Sequence, residues 1–576
     1  MKKLLGLTLA LAMIIPPGQA SAELLKNFKL SGGIDVQTDA TRNVSDFVTR
    51  RDERAADVGN IRPVFNDRVN SAQTRIMLSM DWDWLDDVHS RLSLAKNDRT
   101  YGIQAGTARA GTVSQTLGTG VAGGGTAEAN VYIDEAYFKI DKIFGSVDGT
   151  FGRQFYGQPG DLVVYYGPKQ NLYGLPITAI DAVRADAKVG DMLSITGIAG
   201  KTTDGGLKAA AGVAAADADV DVRGINIGLM GMEGVNVDAY IYNQLTHSVA
   251  ALGSESGGND NLYVYGVKGK VAMSGFTASL EVAKNGGENR TPAGVDALTR
   301  DGDGDGDNTG GAATSDNVYA ADALYQGFAW KLDASYKADI EDVASFTPWL
   351  HFGWGSGRGG LRDNQNEGFK SIASDYRPGT IYGRFSNTGS LGLGTGIPCN
   401  SLVPGCTNLT GAAGNTGVWN QVPLGQAGLD NRVIWGLGLK TTPAAANQLT
   451  VAVSYWSFSF QRVTDDGYGT CAVGGVACVG NNIPSFNVPV AIHNGNVGKD
   501  WGTGQGNKHI GSELDLDLTW KHSDNVTLGA GVASFKPGKY IQSIIRDASD
   551  AAVAGSGTRV AFNSAVLAYG DVKVRF

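Results

Sequence analysis

Apolar and polar residues alternate along this chain in one segment after another, from Phe28 to the last residue, Phe576. In the segment ELDLDLTWK, every second residue from Leu514 to Trp520 is apolar, and the residues between them are charged or polar. Successive side chains of a β-strand point to opposite faces, so a period of two predicts strands with one apolar and one polar face. A soluble β-sandwich alternates in the same way, and the pattern alone does not identify the solvent on the apolar face.

The lengths of the strands and of their connections favour a membrane barrel. The strands are about ten residues long, and short polar turns alternate with long Gly-, Asn- and Ser-rich connections, as in outer-membrane barrels. We therefore predict an all-β fold, a single transmembrane antiparallel β-barrel of about 18 strands with short periplasmic turns and long extracellular loops. The predicted strands are 28–38, 72–84, 88–98, 130–140, 146–155, 179–189, 191–200, 223–231, 234–244, 261–271, 275–284, 318–338, 346–356, 432–441, 448–460, 509–521, 524–534 and 563–576. The predicted long outer loops are 39–71, 99–129, 285–317, 357–431 and 461–508.

The strand count depends on the segment 318–338. If this segment were divided at Gly327, the number of strands would be odd and the connection 357–431 would fall on the side of the short turns. The apolar residues Val318, Trp330 and Tyr336 keep one parity across Gly327. We therefore predict one long strand here and an even-numbered barrel.

The N-terminus has the three regions of a secretory signal peptide. Lys2 and Lys3 precede an apolar run, and a Pro-Pro-Gly break leads to Ala20-Ser21-Ala22, after which we predict cleavage. The predicted domains are the signal peptide at 1–22 and the barrel at 23–576. No later apolar segment reaches the roughly 20 residues of a membrane-spanning helix. The net charge of −9, without a basic cluster, argues against a nucleic-acid partner.

The chain ends on YGDVKVRF, in which Val572, Val574 and Phe576 share one face. The last strand of a barrel must pair with the first, because unpaired backbone groups in lipid cost several kcal/mol each. A terminal Phe on such a strand resembles the signal that the barrel-assembly machinery reads. We therefore expect that machinery, outer-membrane lipid and lipopolysaccharide as partners.

Two segments resemble the alginate-export family of outer-membrane barrels. One is DEAYFKIDKIFGSVDGTFGRQFYG at 134–157, with the motif GRQ after a strand, followed by IDAVRADAKVG at 180–190. The other is HIGSELDLDLTWKHSDNVTLGAGVASFKPGKY at 509–540, which is similar to the closing hairpin of the family. The resemblance implies an eighteen-stranded porin-like channel and carries over Arg153 and Arg184 as conduit residues. It does not establish alginate as the substrate.

The residues that face the lumen of a wide barrel set its selectivity. Acidic and basic candidates nearly balance. The alternative to a selective role is therefore that they pair across neighbouring strands and hydrate the lumen. We expect one long loop, such as 357–431, to fold inward and narrow the pore. The pore-lining candidates are Arg75, Arg91, Glu135, Lys139, Arg153, Arg184, Lys188, Lys268, Lys270, Glu513, Asp515 and Asp517.

One loop segment, DGDGDGDN, resembles the first half of a calcium-binding loop. Asp301, Asp303 and Asp305 have the spacing of EF-hand ligands, but the twelfth position is Ala312 instead of the bidentate Glu. We favour a solvated acidic loop tip over a weak Ca²⁺ site, and we expect no other metal and no cofactor.

The four cysteines form two pairs of equal spacing. An exported protein meets an oxidising compartment, and four cysteines allow three connectivities. We predict local disulfides, Cys399 with Cys406 and Cys471 with Cys478. A metal site is the rival interpretation, but CxxC spacing and neighbouring His are both missing from the sequence.

The sequence favours a channel over an enzyme. No HExxH, GxSxG or P-loop motif occurs, and the six His are scattered. We therefore predict an outer-membrane porin-like channel for passive passage of hydrophilic solutes or ions. The rivals are a conduit for a partner, either for polysaccharide export or as the sheath of an electron-transfer cytochrome, and a surface-binding protein with a plugged lumen. The predicted interfacial anchors are Trp82, Trp84, Trp354 and Trp520.

Overall fold

Eighteen long strands form the wall of the protein in a computed structural model. The structure describes residues 26–44, 47, 68–100, 131–168, 178–204, 219–247, 259–289, 324–357, 365–384, 393, 398–400, 406–408, 416–419, 428–462, 508–542 and 563–576. The wall strands are β1 Lys26–Arg42, β2 Arg68–Leu85, β3 Val88–Thr100, β4 Tyr132–Ile143, β5 Val147–Gln154, β6 Ile180–Val189, β7 Leu193–Thr203, β8 Val220–Met232, β9 Val235–Thr246, β10 Asp260–Met273, β11 Phe276–Asn289, β12 Phe328–Tyr336, β13 Ala344–Gly355, β14 Arg432–Pro443, β15 Leu449–Phe460, β16 His509–Lys521, β17 Val526–Pro537 and β18 Ala565–Arg575.

Each wall strand pairs antiparallel with the next along the chain, and β18 pairs with β1, from Gly33 opposite Arg575 to Arg42 opposite Val566. The sheet therefore closes into a barrel without an open edge, as a strand structure in lipid requires. The predicted fold class and strand number are confirmed, and each predicted strand overlaps one wall strand.

The segment around Gly327 is one strand with a local interruption. Leu324 and Phe328 both pair with β11, opposite Glu288 and Lys284. A Cβ atom on Gly327 would lie 2.5 Å from the carbonyl oxygen of Gly368. Another segment of the chain therefore approaches the backbone closely here, and only glycine leaves room for it.

The connections differ sharply in length at the two ends of the barrel. One end, which we call the turn end, carries tight connections such as 86–87, 190–192 and 274–275, together with the start of β1 and the end of β18. Gly190 and Gly275 adopt φ angles of 60° and 84°, a region that glycine enters without steric cost. All longer connections leave the opposite end, which we call the loop end.

The barrel is apolar outside and polar inside. Along β16, Leu514 is 56% exposed whereas Asp515 is 2% exposed, and along β1, Ile34 is 41% exposed whereas Asp35 is 2% exposed. A soluble protein buries its apolar face, and a monomer rarely exposes contiguous apolar patches of more than a few hundred Å². Here the exposed apolar side chains recur on strand after strand, which is the distribution of a barrel surrounded by hydrocarbon.

The C-terminal residue is part of the seam between β18 and β1. The backbone N–H of Phe576 donates to the carbonyl of Gly32 at 3.1 Å, and the N–H of Gly32 donates back at 3.0 Å. A Cβ atom on Gly32 would lie 2.9 Å from the Phe576 ring. Glycine at this position therefore lets the terminal ring lie close against the first strand.

The predicted aromatic anchors lie near strand ends. Trp84 and Trp520 are exposed near the turn end, and Trp354 lies near the loop end beside Phe328, at 6.0 Å between ring centroids. Aromatic girdles at both membrane interfaces have this arrangement. Among the described residues, no helix has the length and apolar character needed to cross a membrane.

Candidate functional site: the narrowed lumen

Two loop segments fold from the loop end into the lumen and contact the wall. The first inner segment, 155–168, follows β5, and the second inner segment, 365–384, follows β13. The first forms a small hairpin in which Tyr156–Gly157 pairs with Tyr165–Tyr166. The second ends in one helical turn, Ile381–Arg384.

The two inner segments bind each other through their backbones. Val164 and Ala373 form a parallel bridge, in which the N–H of Tyr165 donates to the carbonyl of Ala373 at 2.7 Å. The N–H of Asp375 donates to the carbonyl of Asp161 at 3.1 Å. Because these bonds join residues from separate loops, the inner segments form one structural unit within the lumen.

Basic residues of the wall hold the first inner segment. The ammonium group of Lys268 on β10 is paired with Asp161. Lys331 on β12 donates to the carbonyl of Gly160 at 2.8 Å and lies 3.4 Å from Glu281 on β11. The ammonium groups of Lys268 and Lys331 thus have partners in the first inner segment, and Lys331 also has one in the wall.

A histidine and an asparagine of the wall bind the second inner segment. His351 on β13 lies between Asp333, at 2.6 Å from Nδ1, and the hydroxyl of Tyr376, at 2.5 Å from Nε2. The side chain of Asn285 donates to the carbonyl of Lys370 at 2.8 Å and accepts from its N–H at 2.7 Å. The contacts with the segment come from β11 and β13, and Asp333 on β12 orients His351, so one side of the wall holds the segment at two points.

Glu513 on β16 holds the helical turn at the end of the second inner segment. Its carboxylate accepts the N–H groups of Thr380 and Ile381, both at 2.6 Å, and that of Tyr382 at 3.0 Å. The Tyr382 ring stacks on Phe458 of β15, with 4.0 Å between centroids. The first N–H groups of a helical turn have no partner within the turn, and here the wall supplies one.

Burial sets the protonation of the tyrosines in the inner segments. It raises the pKa of Tyr165 to about 12 and holds the pKa of Tyr376 well above its ordinary value. Burial also lowers the pKa of Arg377, while the neighbouring Asp375 opposes that shift. The Tyr376 hydroxyl is therefore neutral at physiological pH and can share a hydrogen bond with His351.

Most of the predicted pore-lining residues lie on the lumen side of their strands. The registers place Arg75, Arg91, Glu135, Lys139, Arg184, Lys188, Lys268, Lys270, Glu513, Asp515 and Asp517 on the inner face. Several are paired, as the alternative interpretation predicts. Arg75 lies 2.7 Å from Asp35, and Arg91 lies 2.7 Å from Glu135. A selective role for individual charges stays a prediction.

Arg153 is a correction to the predicted lumen set. It lies directly opposite Asp181, with which it forms an ion pair at 3.1 Å, and Asp181 is an exposed residue. Phe151 and Val183, the preceding pair on the same face, point outward. Arg153 therefore belongs to the outer surface near the loop end, because it shares the parity of Phe151.

Two other predicted sites lie largely outside the described residues. Asp301, Asp303 and Asp305 are outside, and so are Cys471 and Cys478. Cys399 and Cys406 belong to short strands on either side of Thr416–Trp419. Both disulfides stay predictions. Within the ranges that the structure covers, no group of three or more His, Cys, Asp and Glu side chains could hold a metal ion.

Sequence reasoning missed the first inner segment, which was not among the predicted long loops. A signal for it exists in the run LVVYY at 162–166, since five apolar residues in a connection cannot all be solvated. Leu162 and Val163 are buried in the structure. The expected inward loop is observed in the second inner segment, but nothing in the sequence singles out Tyr376 as the partner of His351.

Tyr376→Phe is expected to loosen the second inner segment without detaching it. The change removes one hydrogen bond to His351, worth about 1 kcal/mol. Single-channel recordings should show more frequent current fluctuations at nearly unchanged mean conductance. Tyr240→Phe is the matched control, because the Tyr240 hydroxyl donates at 2.9 Å to Glu281 and so joins two wall strands. Equal noise in the two variants would contradict the assigned role of Tyr376.

Comparison with known proteins adds a likeness in fold. No family model matches the chain, and no curated protein matches it. Among solved structures, Pseudomonas aeruginosa OccK9 (OpdG) is 11% identical with a TM-score of 0.45, over 96% of this chain and 100% of that chain. Acinetobacter baumannii OccAB4 is 8% identical with a TM-score of 0.42, over 96% and 100%. The outer membrane protein OprD from Pseudomonas aeruginosa is 9% identical with a TM-score of 0.41, over 97% and 95%. The closed antiparallel pairing of the eighteen wall strands shows the barrel fold.

Proposed function

We propose that this protein is an outer-membrane channel for the passive passage of hydrophilic solutes. The observation that carries the proposal is the closed barrel with an apolar outer surface and a charged lumen. Hydrocarbon stabilises the apolar outer surface, and water stabilises the charged lumen. The barrel therefore fits into a membrane and provides a water-filled path across it. The inner segments supply the narrowing that lets a wide barrel select solutes by size and charge.

Planar-bilayer recording tests the proposal. The purified barrel, checked for folding by its heat-dependent mobility in gel electrophoresis, should insert and produce stepwise conductance in KCl. The reversal potential in a KCl gradient then reports the ion preference of the narrowed lumen. Folded protein that inserts into the bilayer without any conductance would refute the channel and would favour a plugged, surface-binding barrel.

Membership of the alginate-export family is the finer proposal, and one of the two arginines carried over from the resemblance supports it. Of the two arginines that the resemblance carries over, Arg184 faces the lumen and pairs with Asp186 at 2.8 Å, whereas Arg153 faces outward. A conduit for a polyanion needs an uncompensated positive surface. The paired charges therefore favour passage of small solutes over polysaccharide export.

The structure offers less support to a sheath around an electron-transfer cytochrome. The inner segments cross the lumen and contact β10 through β13 on one side and β16 on another. A folded partner inside the barrel would have to displace them, with the loss of all these hydrogen bonds. The expected partners remain membrane lipid, lipopolysaccharide, the barrel-assembly machinery and the solute, and we propose no catalytic role.

A further inference from the structure

A patch of positive charge lies on the outer surface of the barrel at the seam between β18 and β1. Arg42 ends β1 and Lys536 lies near the end of β17, and both side chains are exposed on the outward faces of their strands. Arg42 pairs with Val566 of β18, and Val566 pairs with Ser534, two residues before Lys536 on the same face. The usual spacings within a sheet put the Cα atoms of Arg42 and Lys536 about 12 Å apart. We call these two residues the seam cations.

The seam cations have no acidic partner in the described part of the chain. Neither forms an ion pair, and the outward positions of β16, β17, β18 and β1 carry no Asp or Glu. At the turn end of the same sector, by contrast, Lys521 is paired with Asp524 at 2.9 Å. The residue opposite Arg42 in the register with β2 is a further arginine, Arg68. On the outer surface of this sector, uncompensated positive charge therefore lies at the loop end.

The depth of the seam cations in the membrane follows from the length of β17. Trp520 is exposed near the turn end and pairs with Leu528 of β17. The path from Leu528 to Lys536 covers about 27 Å along the strand, or about 20 Å along the membrane normal at a tilt of about 40°. The apolar band of an outer-membrane barrel is about 25 Å tall. The Lys536 side chain therefore reaches the lipid headgroups on the side of the long loops, which is the outer leaflet.

A strip of small residues lies below the seam cations, on the side toward the turn end. A Cβ atom on Gly570 of β18 would have no neighbour closer than 3.7 Å, so the surface is open and shallow there. Extended acyl chains can approach such a surface closely, and the dispersion energy grows with the number of close atom pairs. An apolar strip below two cations suits an anion that carries acyl chains. The outward residues of the strip are Val532, Ala568 and Ala40 in one row and Ala530, Gly570 and Thr38 in the next.

We propose that the seam cations and the strip below them bind lipid A, the phosphorylated and acylated glycolipid that anchors lipopolysaccharide. The guanidinium group of Arg42 can donate two parallel hydrogen bonds to one phosphate, and the Lys536 ammonium can pair with the second phosphate as a point charge. Basic residues at the level of the headgroups attract anionic lipid in this way. The acyl chains then lie along the strip. The inference goes beyond the proposed channel function, because it concerns the outer surface and does not depend on conduction.

Native mass spectrometry of the folded barrel, refolded without lipopolysaccharide in a mild detergent, tests the site. The wild type should retain added diphosphoryl lipid A. Arg42→Ala with Lys536→Ala should weaken this binding about thirtyfold, because each basic residue at the headgroups contributes to the attraction of an anionic lipid. Lys284→Ala is the matched control, since Lys284 on β11 is an exposed outward lysine without an ion pair among the described residues, and β11 is far from the seam. Its binding of lipid A should change by less than about twofold.

Several outcomes would overturn the site. They are a folded wild type that retains no lipid A, unchanged binding in the double variant, and an equally large loss in Lys284→Ala. Equal binding of dephosphorylated lipid A would show that the acyl chains alone bind, and equal binding of phosphatidylglycerol would show that any anionic lipid suffices. A dimer of the wild type that dissociates in the double variant would assign the surface to a second copy of the barrel instead. Heat-dependent mobility in gel electrophoresis confirms that each variant is folded before its binding is compared.

Discussion

Glu513→Ala is expected to enlarge the conductance of the barrel and to make its current unsteady. The Glu513 side chain is buried and accepts three backbone N–H groups of the second inner segment, from Thr380 to Tyr382. Each buried donor that loses its acceptor costs about 1–3 kcal/mol. The helical turn therefore loses most of the free energy that holds it against β16. We expect at least about a doubling of the open conductance, because the turn can then leave the lumen.

The size-matched variant separates the hydrogen bonds from the volume of the side chain. Glu513→Gln keeps one acceptor oxygen and nearly the full side-chain volume, so its conductance should lie between those of the wild type and Glu513→Ala. Tyr382→Phe tests a second attachment of the same helical turn. It removes the hydroxyl that accepts a hydrogen bond from Arg432 at 2.9 Å. Conductance in Glu513→Ala equal to that of the wild type would show that the other contacts of the second inner segment suffice to hold it.

The wall of the barrel could be predicted from the sequence because its rule is local. In lipid each strand must present apolar residues on one face, and in a water-filled lumen it must present polar residues on the other. That constraint appears in every strand as a period of two, so Leu514 and Asp515 can be assigned to opposite faces without knowledge of their neighbours. The same reasoning assigns Arg153 to the outside through Phe151, and the family resemblance misled the prediction at that residue.

The contents of the lumen could not be predicted because their contacts are distant in sequence. Asp161 pairs with Lys268, and Glu513 caps a turn that begins more than 130 residues earlier in the chain. The periodicity of the sequence cannot predict such pairs, because the residues next to each partner in the sequence do not distinguish it from other lumen-facing residues. Only burial leaves a trace, in apolar runs such as LVVYY that are too hydrophobic for a solvated loop.

Charge is distributed unevenly around the lumen, and this follows from where the inner segments bind. Lys268 and Lys331 face these segments and are neutralised by Asp161 and Glu281. Arg75 and Arg91 are paired with carboxylates on adjacent strands. Among the described residues of the inner face, Lys188, Lys270 and Asp517 lie in no ion pair, so unpaired charges of both signs remain on the turn-end side. The reversal potential in a KCl gradient therefore reports whether the acidic or the basic unpaired residues govern ion preference.

Asp35→Ala is expected to destabilise the barrel at its seam. Asp35 on β1 is 2% exposed and accepts from Arg75 on β2, at 2.7 and 3.0 Å, and from Arg575 on β18, at 2.5 Å. One carboxylate thus joins the first, second and last strands. Removing one partner from a buried ion pair costs about 3–5 kcal/mol, because the remaining charge keeps its desolvation penalty. Arg575 is about half exposed, so most of this cost falls on Arg75.

Urea unfolding of the detergent- or liposome-embedded barrel, followed by tryptophan fluorescence, measures this loss as a lower free energy of unfolding. Asp35→Asn keeps an acceptor oxygen for Arg75 and should lose less. Asp238→Asn is the control, because it removes a lumen carboxylate on β9, far from the seam, and should cost at most about 1 kcal/mol. Unfolding of Asp35→Ala at the same urea concentration as the wild type would contradict this prediction. The seam would then be held by its backbone hydrogen bonds and by Phe576, and the ion pairs of Asp35 with the arginines would not stabilise the closed barrel.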